Sequence, residues 1–79
     1  MNTEFYNIMV DELHKRSMSI REFAKFTGIS YASMIEFFNV DKPFRPLQSK
    51  NKARIHNTVG IPYEVIDEYN DYILKEREK

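Results

Sequence analysis

The chain has 79 residues, enough for one hydrophobic core but too few for two domains. It has no cysteine and only two histidines, which excludes disulfides and a zinc site as the source of its stability. A content of 42% hydrophobic and 30% charged residues is typical of a globular protein and excludes a disordered one. The longest apolar run, residues 8–10, is too short for a membrane span or a signal peptide. We therefore expect one domain over residues 1–79, in the cytoplasm and without a membrane partner.

The formal net charge is zero, with 12 basic and 12 acidic residues, but the charges are segregated along the chain. Residues 1–12 and 60–79 each carry a net charge of −3, whereas residues 13–59 carry +6. A basic block of this kind indicates a surface for an anionic partner, although ordinary solvated helix faces would give the same count.

The apolar residues recur at three- and four-residue steps throughout, which predicts an all-α fold. The first helix is expected from about Thr3, as N-cap, to Arg16. The second begins at Ser19, because Ser19 and Glu22 form a capping box with apolar residues on either side. It ends at Gly28, a residue that tolerates a left-handed backbone.

Three more helices are predicted after Gly28. The third runs from about Ser30 to Phe38 and is followed by a proline-containing loop over residues 39–48. The fourth covers residues 49–59 and is closed by Gly60. The fifth starts at Pro62, in the first-turn position that proline favours, and extends to about residue 77.

The second and third helices carry the features of a helix-turn-helix. Such a motif needs a small residue where the helices cross, a glycine at the bend and apolar anchors on the second helix. Ala24, Gly28, Met34 and Phe37 supply these at the required spacing, within a motif of about residues 19–39. The segment from Ile20 to Phe37 resembles the motif of the lambda-repressor-like family of phage and bacterial regulators.

That resemblance covers about residues 13–65 and implies a five-helix domain whose third helix enters the DNA major groove. By position, the base edges would be read by Tyr31, Ala32, Ile35 and Glu36. The phosphate contacts would come from basic and polar residues around them, namely Arg21, Asn39, Lys42, Arg45, Ser49, Lys50, Asn51, Lys52 and Arg54. The implied function is a sequence-specific transcriptional regulator of double-stranded DNA, of the phage repressor type.

The chain departs from the family pattern at several positions. Ile20 stands where a glutamine usually holds a phosphate, and Lys52 stands where the fourth helix usually has a bulky apolar residue. The reading face has no Arg, Lys, Asn or Gln before Asn39, so the common bidentate contacts to guanine and adenine are missing.

An alternative of a different class follows from these departures. Tyr31, Ile35 and Phe38 recur at helical spacing and would form an apolar stripe on the third helix. The fold would then be a protein-interaction module, such as an antirepressor or an inhibitor of a host protein. In the interpretation that gives this stripe no function, Phe38 turns inward and leaves only a Tyr–Ile pair exposed.

The sequence predicts neither an enzyme nor a bound cofactor or metal. His14 and His56 are the only candidates for base or metal chemistry, and neither has a second ligand at suitable spacing. A homodimer is expected through the fifth helix, whose apolar stripe continues over Tyr69, Tyr72 and Ile73. Two motifs one DNA turn apart would supply the specificity that a single motif lacks.

Overall fold

A computed structural model describes residues 3–38 and 46–77, with the side chain of Arg77 left aside. These residues form five helices and no strand: α1 (Glu4–Lys15), α2 (Ile20–Thr27), α3 (Tyr31–Phe38), α4 (Ser49–Val59) and α5 (Tyr63–Arg77). The all-α prediction with five helices is therefore confirmed. Along the described residues α1 packs on α5, and α2 packs on both α3 and α4.

The helix ends follow the local capping signals. The Thr3 side chain accepts from the Tyr6 N–H at 3.2 Å and begins α1. At α2 the capping box is complete, since Ser19 Oγ accepts from the Glu22 N–H at 3.1 Å and Glu22 Oε1 accepts from the Ser19 N–H at 2.9 Å. These bonds hold the pKa of Glu22 below its ordinary value of 4.5. Their contribution to stability is therefore present above pH 4.5 and is lost as the pH falls below that value.

Three aromatic side chains join helices that are distant in sequence. The rings of Phe5, Phe37 and Tyr69 lie with their centroids 5.1–5.5 Å apart, and they come from α1, α3 and α5. Met34 and Phe37 are the inward residues of α3, as the sequence predicted, and Ala24 is buried where α2 crosses α3. Burial also raises the pKa of the Tyr69 hydroxyl above its usual range.

Asn70 on α5 fixes the chain segment that leads into α4. Its Oδ1 accepts from the Leu47 N–H at 2.8 Å, and its Nδ2 donates to the Leu47 carbonyl at 3.1 Å. The amide thus pairs with both backbone groups of one residue, and this anchors the start of α4 to α5.

Two glycines and one serine occupy left-handed backbone conformations. Gly28 and Gly60 end α2 and α4 with φ of 81° and 85°, whereas Ser17 follows α1 with φ of 53°. A Cβ at residue 28 would meet only ordinary van der Waals contacts, 3.7 Å from Arg54 Cδ, and one at residue 60 would meet nothing within 4 Å.

We therefore predict that Gly28→Ala and Gly60→Ala destabilise the fold by the same amount, about 1–2 kcal/mol, because both costs are conformational. Ser17→Gly should raise stability by a few tenths to about 1 kcal/mol for the same reason. Urea unfolding followed by circular dichroism measures all three. A cost for Gly28→Ala well above that of Gly60→Ala would contradict the open space at the turn.

Asn70 gives a second prediction. Asn70→Ala leaves two partly buried backbone groups without their partner and should destabilise the fold by about 1–3 kcal/mol. Asn70→Asp keeps the acceptor for the Leu47 N–H but loses the donor to its carbonyl, so it should be intermediate near pH 7. Asn57→Ala, at an exposed position of α4, is the control. Equal stability of Asn70→Ala and Asn57→Ala would reject the anchoring role.

Candidate functional site

The turn between α2 and α3 brings the first residues of α3 to the surface. The chain leaves α2 at Gly28, buries Ile29 and caps α3 with Ser30, whose Oγ accepts from the Ser33 N–H at 3.2 Å. Met34, one turn further on, points into the core. The opposite side of the first turn of α3 therefore faces outward, with Tyr31 41% exposed and Ala32 also exposed.

The four residues expected to read bases differ in accessibility. Tyr31 and Ala32 are exposed, whereas Ile35 and Glu36 are half-buried. Glu36 lines a small cavity of about 150 Å³ between the end of α3 and the start of α4, together with Ser33, Phe37, Pro46, Leu47, Gln48, Asn51 and Tyr69. The most accessible part of the predicted reading face is thus its first turn.

Three cationic side chains surround that first turn. Arg21 and Lys25 come from α2, and Arg54 comes from α4. Together with Ala24, Gly28, Ile29, Ser30 and Tyr31, these three line one open cleft of about 450 Å³, here called the cationic cleft. The Arg21 guanidinium lies over the Tyr31 ring, 4.2 Å from its centroid. Lys25 was absent from the phosphate-contact residues predicted from the sequence, although its i, i+4 spacing from Arg21 could have indicated it.

The α4 cations do not share one face. Residues two apart on a helix point about 200° apart, so Lys52 and Arg54 leave α4 in nearly opposite directions. Lys52 Nζ lies 2.7 Å from Asp67 Oδ1 on α5, whereas Arg54 reaches the α2–α3 turn. Lys52, expected among the phosphate contacts with Lys50 and Arg54, is thus engaged by a carboxylate on the other side of α4.

The other predicted phosphate contacts are divided between described and undescribed parts of the chain. Ser49 and Lys50 are exposed and Asn51 is half-buried, all in the first turn of α4. The N-cap residue Gln48 makes no side-chain hydrogen bond to that turn. Asn39, Lys42 and Arg45 lie outside the described residues.

The predicted dimer interface needs three α5 residues that are exposed on the single chain, and two of the three are buried. Tyr69 and Ile73 are 1% and 2% exposed within the single chain, because the apolar stripe of α5 covers α1 and α3. Only Tyr72, at 38%, is exposed.

The predicted apolar stripe on α3 is also shorter than expected. Phe38 is half-buried, and its ring centroid lies 5.0 Å from that of Phe37 and 6.3 Å from that of Phe23. Phe38 thus turns inward, which leaves Tyr31 and the half-buried Ile35 on the outer side. Ile20, at the position of the expected glutamine, is half-buried against the core.

The two histidines are separated by the fold. His14 is exposed on α1, whereas His56 stacks on Tyr63 with the ring centroids 4.3 Å apart and places Nδ1 2.8 Å from the Ile61 carbonyl oxygen. Within residues 3–38 and 46–77, no three metal-ligating side chains gather closely enough to hold an ion. No helix in the same residues is both long and apolar enough to cross a membrane.

Comparisons of the chain with protein-family models, with curated proteins and with solved structures found no match. The residues themselves therefore carry the functional argument.

The Lys52–Asp67 pair yields a prediction that separates it from the other α4 cations. Lys52→Ala should destabilise the fold by about 0.2–1 kcal/mol, the usual range for a solvated ion pair. Lys50→Ala, whose side chain is exposed, should be neutral. A double-mutant cycle with Asp67→Ala, followed by urea unfolding, measures the coupling. Zero coupling would show that the pair adds no stability in solution.

Proposed function

We propose that the chain is a helix-turn-helix protein of the lambda-repressor-like type that binds double-stranded DNA and regulates transcription. In this proposal α2 and α3 form the motif, and α3 lies in the major groove with its first turn against the bases. The binding is non-covalent, and the protein acts without a cofactor.

One observation carries this proposal: the exposed first turn of α3 shares a surface with the cations Arg21, Lys25 and Arg54. A DNA-reading helix needs accessible side chains for base edges, and it needs neighbouring cations for the phosphates on either side. Tyr31 and Ala32 supply the first requirement, because Tyr31 can donate a hydrogen bond and the Ala32 methyl can contact a thymine methyl.

The start of α4 supports the same orientation. Its first turn exposes Ser49 and Lys50, and the backbone N–H groups of a helix start favour phosphate oxygens. The zero net charge does not oppose the proposal, because the basic residues are concentrated in the middle of the chain and DNA responds to the nearest charges.

The protein-interaction alternative loses support from the position of Phe38. It required an exposed stripe of three apolar residues on α3, and Phe38 packs against Phe37 and Phe23 instead. A homodimer stays a prediction, and of the three α5 residues only Tyr72 is exposed enough to serve it.

The direct test is an anisotropy titration with labelled genomic fragments at two salt concentrations. We expect micromolar or tighter binding to mixed duplexes at low salt, with an affinity that falls steeply as salt increases. Selection from a random duplex pool then identifies the preferred sequence. Failure to bind any duplex at about 10⁻⁴ M protein in low salt would reject the proposed function.

One substitution separates DNA contact from folding. Ala32→Asp adds a negative charge near the start of α3, where it stabilises a helix by about 0.3–1 kcal/mol, yet it would repel DNA in the groove. We predict at least tenfold weaker DNA binding with equal or higher thermal stability. Asn7→Asp adds the same charge at an exposed position of α1 and should bind as the parent does. If both variants bind equally well, α3 is not the reading helix.

A further inference from the structure

We propose that Arg21, Lys25 and Arg54 form a single site that holds one phosphate of the DNA backbone beside the start of α3. This inference rests on the proposed function and adds to it the place where the complex is anchored. It assigns to Arg54, a residue of α4, a contact that the α2–α3 pair alone could not make.

The cationic cleft is assembled across the turn between the two helices. Arg21 and Lys25 are one turn apart on α2, so they project from the same side of that helix. Arg54 approaches from α4, and its Cδ and Nε would lie 3.7 and 3.8 Å from a Cβ at residue 28. The Arg54 side chain therefore lies along the turn, in van der Waals range of residue 28, and lines the cleft together with the α2 cations.

These cations keep hydrogen-bond donors available. Among the described residues, no carboxylate lies within 4.0 Å of Arg21, Lys25 or Arg54. Glu22, on the same helix as Lys25, accepts instead from the Ser19 N–H at 2.9 Å. In the part of the chain that the structure describes, the Arg54 side chain donates one hydrogen bond, from Nη1 to Asn51 Oδ1 at 3.3 Å, so most of its five N–H donors remain.

The contact between Arg21 and Tyr31 leaves Arg21 an exposed residue. A guanidinium that lies over a ring uses its face for the aromatic contact, while its N–H groups point outward in the plane. Arg21 can therefore hold Tyr31 in position and donate to a phosphate oxygen at the same time. The phosphate contact of Arg21 would then also fix the position of Tyr31, the first base-reading residue.

The start of α3 adds two further donors. Ser30 Oγ satisfies the Ser33 N–H, and the N–H groups of Tyr31 and Ala32 precede the first intrahelical bond of α3. The cleft is thus lined by three cations from α2 and α4 and by Ser30 and Tyr31 at the start of α3, and the Ala32 N–H follows directly in the chain. Donors from several directions suit the tetrahedral oxygens of a phosphate, and each arginine fork can bind two of those oxygens.

Three cations that line one cleft repel one another in the free protein, and among the described residues it is the Glu22 carboxylate that acts electrostatically on one of them, Lys25. A bound anion relieves that repulsion. The cleft therefore has a stronger affinity for a phosphate than the same cations would have if they were spread over the surface.

The first test uses inorganic phosphate and nuclear magnetic resonance, independently of DNA. In the parent protein, millimolar phosphate should shift the amide resonances of Tyr31 and Ala32, and this shift should saturate. In Arg54→Gln the shift should fall at least several-fold, whereas Lys15→Gln, at an exposed position of α1, should behave as the parent. Equal shifts in the parent and in Arg54→Gln would overturn the site.

The second test asks whether the residues act on the same DNA phosphate. Arg21→Gln and Arg54→Gln should each weaken binding about tenfold, and the double variant should lose clearly less than the product of the two, because one phosphate contact is removed. The salt slope should fall by about 0.9 in either single variant and by little more in the double variant. Lys25→Gln with Arg54→Gln repeats the cycle without disturbing Tyr31.

The control pair Lys15→Gln and Arg54→Gln should be additive. If the parent binds DNA but the Arg21 and Arg54 effects multiply, the two arginines contact different phosphates and this inference is wrong, while the proposed function stands. If the parent binds no duplex, both proposals fail. A hexaglutamate peptide that displaces phosphate from the cleft more strongly than duplex DNA does would assign the cleft to an acidic protein and overturn the inference.

Discussion

The contact among the rings of Phe5, Phe37 and Tyr69 is the constraint on which the arrangement of the helices depends. It joins α1, α3 and α5 at one point, and each ring lies 7% exposed or less. Because Phe37 is fixed there and Met34 packs one turn earlier, α3 cannot rotate about its axis without exposing an aromatic side chain. The outward position of Tyr31 and Ala32 is therefore a consequence of the core and not a separate feature of the surface.

The second constraint is the absence of a side chain at Gly28. It permits the left-handed backbone that ends α2, and the turn formed there lies against the Arg54 side chain. Through this contact α4 contributes a charge to a surface that α2 and α3 otherwise form alone. Lys52, two residues earlier, points to Asp67 on α5 and is removed from that surface. One helix thus directs one cation to an exposed ion pair with α5 and another to the cleft.

Features fixed by a few neighbouring residues could be predicted from the sequence, whereas features fixed by distant packing could not. Thr3, Ser19 and Gly60 carry their capping chemistry in their own side chains or backbone freedom, so the helix ends were predicted almost to the residue. The apolar stripe of α5 was visible too, but only the fold determines that α1 and α3 cover Ile73. A single asparagine such as Asn70 has no sequence pattern that would indicate its partner. Its hydrogen bonds to the backbone of Leu47, 23 residues away, depend on the tertiary fold.

The size of the molecule decides how its zero net charge is to be understood. The principal extents are 35 × 25 × 20 Å, whereas charges in solution are screened over about 8 Å at physiological ionic strength. A DNA phosphate placed at one side of the protein would therefore interact with the charges on that side and not with the net charge of the whole molecule. The cationic cleft lies at the α2–α3 turn, while four acidic residues line a separate surface along α5, namely Glu64, Asp67, Glu68 and Asp71. Such a charge distribution attracts a polyanion in one orientation and repels it in the other, so in the proposed complex the acidic surface would face away from the duplex and help to orient the protein.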